Sequence, residues 1–295
     1  MKKLLALTLA AIIVLSLAAC SVSINTGSSS GNDNNNTTSS QEDAAKENAA
    51  SSSASTKATS SAASKSDSSA AKSGGIMSTD EFAEFIKGYV DINHYKADDP
   101  TDTTCSYSLK SDYYQDYQND KSKHLFSDDS VKLDGSSTIK LNMQVSDFIS
   151  EGWGFKDSSK ASEDMGSMLE SSYLSFTKGG KEIGVRCLND TDSTLKYDKT
   201  KVGGFQLPIY GSDNNYATKR NTAVDFNIDG KIKIATTLKD AISALGEPKT
   251  IFYGVQTGYS HIKIEYQDKY EEGLHFVSLD FSGDGSKIVE VTINS

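Results

Sequence analysis

Two stretches that align without a gap constrain this chain more than any other feature of its sequence. Ile139-Lys140-Leu141-Asn142-Met143-Gln144-Val145-Ser146-Asp147-Phe148-Ile149-Ser150 lies on Ile232-Lys233-Ile234-Ala235-Thr236-Thr237-Leu238-Lys239-Asp240-Ala241-Ile242-Ser243. Ile, Lys, Asp, Ile and Ser are identical at matching places, and Leu141/Ile234 and Val145/Leu238 are conservative exchanges. Each copy reads as a short strand, a polar turn and a helix of about two or three turns. Each helix runs into a glycine, in Glu151-Gly152-Trp153 and in Leu245-Gly246-Glu247-Pro248. A glycine just past the last turn, with proline soon after, is how a helix is stopped.

Period-two segments follow each helix. In the second copy these are Ile251 to Tyr253, His261 to Tyr266, Leu274 to Phe281 and Ile288 to Ile293, with turns at Gly254 to Gly258, Tyr270 to Gly273 and Gly283-Asp284-Gly285. The first copy runs through Tyr173 to Thr177, the Gly179-Gly180 turn, Glu182 to Leu188 and Val202 to Ile209, after an extra polar stretch from Asp157 to Ser171. Asp229-Gly230 marks a hairpin leading into the second copy. Helices beside runs of strands argue for an α+β fold. The expectation is tandem repeat units, 134–222 and 223–295, each a short helix packed on an antiparallel β-meander. A polar join from Tyr210 to Ala223 leaves open whether they form one body or two.

Ahead of the repeats lies a segment, 76–133, of different character. Ser78 and Glu81 stand at capping-box spacing, and Phe82, Phe85, Ile86 and Tyr89 or Val90 recur at helical steps, which predicts an amphipathic helix to about Asp91. From Asn93 to Asp129 the sequence is polar, irregular and rich in tyrosine, and assigns no element.

Residues 1–75 are different again. Lys2 and Lys3 precede an apolar run from Leu4 to Leu15, too short for a comfortable membrane span, and Leu17-Ala18-Ala19-Cys20 closes it. This segment, 1–19 plus Cys20, resembles a bacterial lipoprotein signal. The resemblance implies acylation of the Cys20 thiol and cleavage before it, leaving a chain held by lipid on the extracytoplasmic face of the cell membrane. The alternative is an ordinary secretory signal with a chance cysteine. From there to residue 75 the chain is Ser, Ala, Asn, Thr and Lys, too poor in apolar groups to offset the entropy of ordering. As a disordered tether (20–75) it would reach roughly 40 Å, with an O-glycosylated stalk as the other reading. Net charge is −10 for the whole chain. With +2 in the signal and about −1 in the tether, the remainder carries about −11, which disfavours nucleic acid as a partner.

The order strand, helix closing on Leu245-Gly246-Glu247-Pro248, then strands ending in Phe281…Gly283-Asp284-Gly285…Ile288-Val289-Glu290-Val291 resembles the repeat unit of the beta-lactamase-inhibitory-protein-like fold. Small outer-membrane assembly lipoproteins share that unit, and similar tandem modules occur on surface lipoproteins of Gram-positive bacteria. The resemblance covers about Asp134 to Ser295 and implies a curved sheet with a concave face. The first copy departs from it at Gly152-Trp153. Inhibition of an enzyme is not implied, because function lives in sites rather than folds.

No catalytic constellation is legible. His94, His124, His261 and His275 lack metal-ligand spacing, and no G-x-S-x-G occurs. Gly283-Asp284-Gly285 lacks the alternating ligands of a calcium loop, and Asp128-Asp129 and Asp98-Asp99 read as solvated surface. The expectation is therefore no enzyme, no cofactor and no metal. Cys105 and Cys187 either pair or stay free, with Cys187 buried as a small hydrophobe in a strand. The chain carries 14 tyrosines. Tyrosine gives contact area at low entropy cost, so Tyr253, Tyr259, Tyr266 and Tyr270 are the candidate ligand contacts, with Trp153 as a core residue beside them. The expected function is a non-catalytic binding module for an envelope protein or wall ligand. The alternatives are a structural or assembly role in an envelope complex and an unrecognised envelope hydrolase.

Overall fold

The computed structural model describes residues 76–98, 105–112, 124–127, 130–167, 169–211, 216–270 and 273–295, with backbone alone at 269–270 and 273–274. The expected signal, Cys20 and the tether lie outside the described residues. In chain order the strands are β1 (Tyr95–Ala97), β2 (Cys105–Ser111), β3 (Ser130–Leu133), β4 (Ser137–Lys140), β5 (Gly154–Phe155) and β6 (Asp164–Met165). They continue with β7 (Glu170–Lys178), β8 (Lys181–Asn189), β9 (Leu195–Lys196), β10 (Lys201–Pro208), β11 (Phe226–Ile228) and β12 (Ile232–Lys233). The last four are β13 (Thr250–Gln256), β14 (Tyr259–Tyr270), β15 (Gly273–Ser282) and β16 (Ile288–Asn294). Helices α1 (Thr79–Ile86), α2 (Val145–Ser150) and α3 (Leu238–Leu245) are short. The protein is thus mostly antiparallel β-sheet with few helices.

Ten strands form one antiparallel sheet in the order β1-β2-β13-β14-β15-β16-β10-β8-β7-β5. The sheet is continuous through 134–222 and 223–295, because β10 pairs with β16 from Gly204↔Asn294 to Pro208↔Glu290. A smaller sheet, β12-β11-β3-β4, joins two hairpins through Phe226↔Leu133 and Ile228↔Val131. The boundary expected at 134 falls in the turn between β3 and β4, so that hairpin straddles it.

Local chemistry accounts for the helices. Both bonds of the Ser78–Glu81 box form, at 2.9 and 3.3 Å, satisfying N–H groups that α1 itself cannot pair. Thr237 and Asp240 make the same reciprocal box on α3. Gly246 ends α3 at φ 84°, a region closed to residues with a Cβ. The helix expected to run from Ser78 to Asp91 stops at Ile86 and gives way to a turn.

One face of the large sheet carries the core. Phe82 of α1 stacks on Tyr253 at 4.6 Å, Phe148 of α2 meets Phe176 at 5.7 Å, and the Tyr266 hydroxyl donates to Gly246 O behind α3 at 2.9 Å. Trp153 is buried and stacked on Phe148 at 5.3 Å. The small sheet and residues 124–127 close the middle of that face, where Phe126, Ile228, Val277 and Ile293 line a cavity of about 10 Å³, no more than one water's room. Asp268, 1% exposed, anchors 124–127 by accepting from His124 Nδ1 and Leu125 N, both at 2.8 Å.

Candidate functional site

The two faces of the sheet differ in chemistry as well as cover. Side chains alternate along each strand, so Ile262, Ile264 and Tyr266 point into the core while Tyr259, His261, Lys263 and Glu265 share the other face. No described helix packs there. Across it runs the row Tyr173, Arg186, Gly204, Asn294 and Phe276, each paired with the next in register. Tyr173 and Phe276 are 49% and 48% exposed, large apolar groups left in water beside the polar Arg186 and Asn294. The Tyr173 hydroxyl donates to Asn294 Oδ1 at 2.5 Å, three strands away, so its ring lies across the row. Gly204 is what permits this: a Cβ there would stand 2.0 Å from Asn294 Oδ1. Arg186 Nη2 donates to Ser295 O at 2.7 Å, while its buried Nε has no hydrogen-bond partner among the described residues.

Further along the face, Lys263 sits over the Phe252 ring at 4.7 Å, and Tyr216 meets Tyr259 edge-on at 5.3 Å. Burial, reinforced by Tyr259, Asp280 and Glu290, pushes the Tyr216 phenol up. Burial likewise raises the Glu290 carboxyl, against the bond it accepts from Gln206 Nε2 at 2.7 Å and the pull of Arg220 and Lys263. Tyr173 is raised by burial in the same way, opposed by Arg186 and Asn294.

This geometry corrects two of the four expected ligand contacts. Tyr253 is 0% and Tyr266 1% exposed, and their hydroxyls bond Met77 N and Gly246 O. They are core residues, with no surface to offer a ligand. Tyr259 lies partly exposed on the uncovered face, its hydroxyl on Gln256 Oε1. Tyr270 ends β14, and its side chain lies outside the described residues. The sequence reading missed Tyr173 and Phe276. The signal was their phase: Tyr173 falls out of step with the inward residues Leu174 and Phe176, and Phe276 falls between the inward residues His275 and Val277.

The histidines stay scattered. His94 pairs with Glu247 at 2.7 Å, and that bond, helped by Asp91 and Asp112, raises it. His124 is locked on Asp268, and His275 is buried across from Asp268 in register. Among the described residues no group of three or more His, Cys, Asp or Glu is placed to hold a metal. No disulfide joins Cys105 and Cys187, and the Cys105 thiol donates to Tyr107 O at 2.9 Å. They sit on β2 and β8, six strand spacings apart in the sheet order, a path of about 29 Å along the sheet. Cys187 is fully buried, and burial pushes its thiol up to about 12. Among the described residues no helix is long and apolar enough to cross a membrane. Set against known families, curated proteins and solved structures, the chain finds no match in any of the three.

Proposed function

We propose that this chain is a lipoprotein, anchored through acylated Cys20 to the extracytoplasmic face of the cell membrane, and that it serves as a non-catalytic binding module for an envelope protein or wall ligand. The observation that carries the binding role is the uncovered sheet face, where Tyr173 and Phe276 stand half-exposed among polar groups. Rigid aromatic rings on a polar, regular surface supply contact area without ordering long side chains. Tyr259, on the same face, remains part of the contact surface. The anchor rests on the lipobox-like Leu17-Ala18-Ala19-Cys20.

The tandem-unit reading belongs to the same proposal. Strands β5, β7, β8 and β10 on one side of the central seam mirror β13, β14, β15 and β16 on the other, each set following its own helix. Hairpins β3–β4 and β11–β12 meet in the same mirrored way. Both facts support two units related by a local two-fold axis, as the resemblance to the beta-lactamase-inhibitory-protein-like fold implies.

Labelled palmitate fed to the producing cells should enter the full chain and not its Cys20→Ser variant; equal labelling of both would remove the anchor. The full chain, fixed to resin, should retain one envelope component from detergent extracts, and Phe276→Ala with Tyr173→Ala should release it. Retention unaffected by that pair would take the contact off this face. Stable co-purification of a whole complex would favour the assembly role instead.

A further inference from the structure

We propose that the outer edge of β7 is a strand-addition site, where an extended, neutral or basic segment of a partner protein pairs with Ser171 to Tyr173 and adds one strand to the large sheet. The argument starts from register. The Gly179-Gly180 turn makes Lys178↔Lys181 the closing pair of the hairpin, so the backbone groups of 178, 176, 174, 172 and 170 point to β8. Those of 177, 175, 173 and 171 therefore point outward. β5 takes up Thr177, and Lys156 N donates to Ser175 O at 2.8 Å, after which the chain leaves the edge. Ser171 and Tyr173 each keep an N–H and a C=O aimed away from the sheet, with no partner among the described residues.

Exposed strand edges are normally guarded by lysine, proline, a bulge or brevity. The opposite edge of this sheet follows the rule: β1 has three residues, with Lys96 in the middle. From Ser171 to Ser175 there is neither lysine nor proline, and the β7–β8 register runs without a shift. The exposed apolar residue Leu169, at 73%, precedes the stretch and Tyr173, at 49%, stands in its middle. A row of free backbone groups selects a strand, and the side chains beside it select its composition. Tyr173 on one face favours an apolar or cationic neighbour, and Glu170 at the end favours a basic one. The same acidity disfavours a second copy of this chain, whose net charge is −10.

This site goes beyond the sheet-face reading, with which it shares Tyr173, and the variants below tell the two apart. The test uses the full chain and a tagged peptide, acetyl-Lys-Thr-Val-Thr-Val-Thr-Lys-amide, with a proline at the central Thr as the non-pairing control. Fluorescence anisotropy should give saturable binding at up to about 1 mM that Ser171→Pro weakens at least about tenfold and the proline peptide lacks. Ser171→Pro removes an outward N–H, so its melting temperature should hold; in the unaltered chain, amide exchange at Ser171 and Tyr173 should slow with the peptide bound. Tyr259→Ala should leave the affinity unchanged, and its loss there would move the site to the face. Absence of saturation, equal binding by Ser171→Pro, or unprotected Ser171 and Tyr173 would overturn the proposal. So would a doubled mass for the chain alone that Ser171→Pro halves, since the edge would then belong to a second copy.

Discussion

Tyr253 and Tyr259 stand on neighbouring strands but on opposite faces, and the difference fixes what each can do. Removing the Tyr253 ring would leave a void against Phe82 and orphan Met77 N, so Tyr253→Ala should cost about 3–5 kcal/mol in a denaturant titration. Tyr259→Ala should cost about 1 kcal/mol or less. Comparable losses would put Tyr259 in the core as well and end its role as a contact. The phase of the alternation already separates these residues, since Tyr266 falls in step with Ile262 and Ile264 whereas Tyr259 does not. Tyrosine content alone carried no such information, because a phenol suits a core that can bond its hydroxyl as well as a surface. Glu290 gives a second test. Its raised carboxyl binds a proton more tightly folded than unfolded, so its charge costs stability at neutral pH, and that cost fades as pH falls through the raised value toward the ordinary 4.5. Glu290→Gln should therefore raise the melting temperature at pH 7 and narrow its lead as pH approaches 4.5. A lower melting temperature at pH 7 would mean that the charge is worth more to Gln206 than burial costs it.

Elements marked by local chemistry or by sustained alternation were legible, the meander strands β7, β8, β10 and β13 to β16 among them, and β1 and β2, which lean on a distant partner, were missed. The Ser78–Glu81 capping box and Gly246 mark the start of α1 and the end of α3 from the sequence alone, since each signal closes within a few residues. β2, Cys-Ser-Tyr-Ser-Leu-Lys-Ser, carries little strand propensity and owes its conformation to β13, where Tyr107 faces Tyr253 and Leu109 faces Ile251. β1 then forms on β2, and the tyrosine-rich stretch gains two strands, of which only the alternation of Cys105, Tyr107 and Leu109 with Ser106, Ser108 and Lys110 hints at the second. The cysteines obey the same logic, because only strand order separates them. An alkylating reagent should modify Cys105 in the folded chain and reach Cys187 only after unfolding, with identical mobility on reducing and non-reducing gels. A mobility shift caused by reductant would contradict a sheet in which β2 and β8 lie so far apart.

At the scale of the molecule, the β10–β16 seam decides whether the halves are independent. Gly204 to Pro208 pair with Glu290 to Asn294, and Phe205, Leu207, Val291 and Ile293 on those strands are all buried on the core side. Cutting there would expose that apolar row and two long strand edges at once. β13 has a further partner in β2, so a 223–295 fragment would lose pairing at both of its outer strands. The small sheet adds a second tie, since β11, besides its hairpin partner β12, pairs with β3 from the other half. Burial shared in this way makes unfolding cooperative, because neither half keeps a closed core without the other. The chain should melt in a single transition for residues 76–295, coincident by near-ultraviolet and far-ultraviolet circular dichroism. Fragments 76–222 and 223–295 should each give collapsed amide spectra alone and regain dispersion when mixed. A fragment that folds cooperatively by itself would show that the repeat, and not the seam between its copies, is the unit of stability.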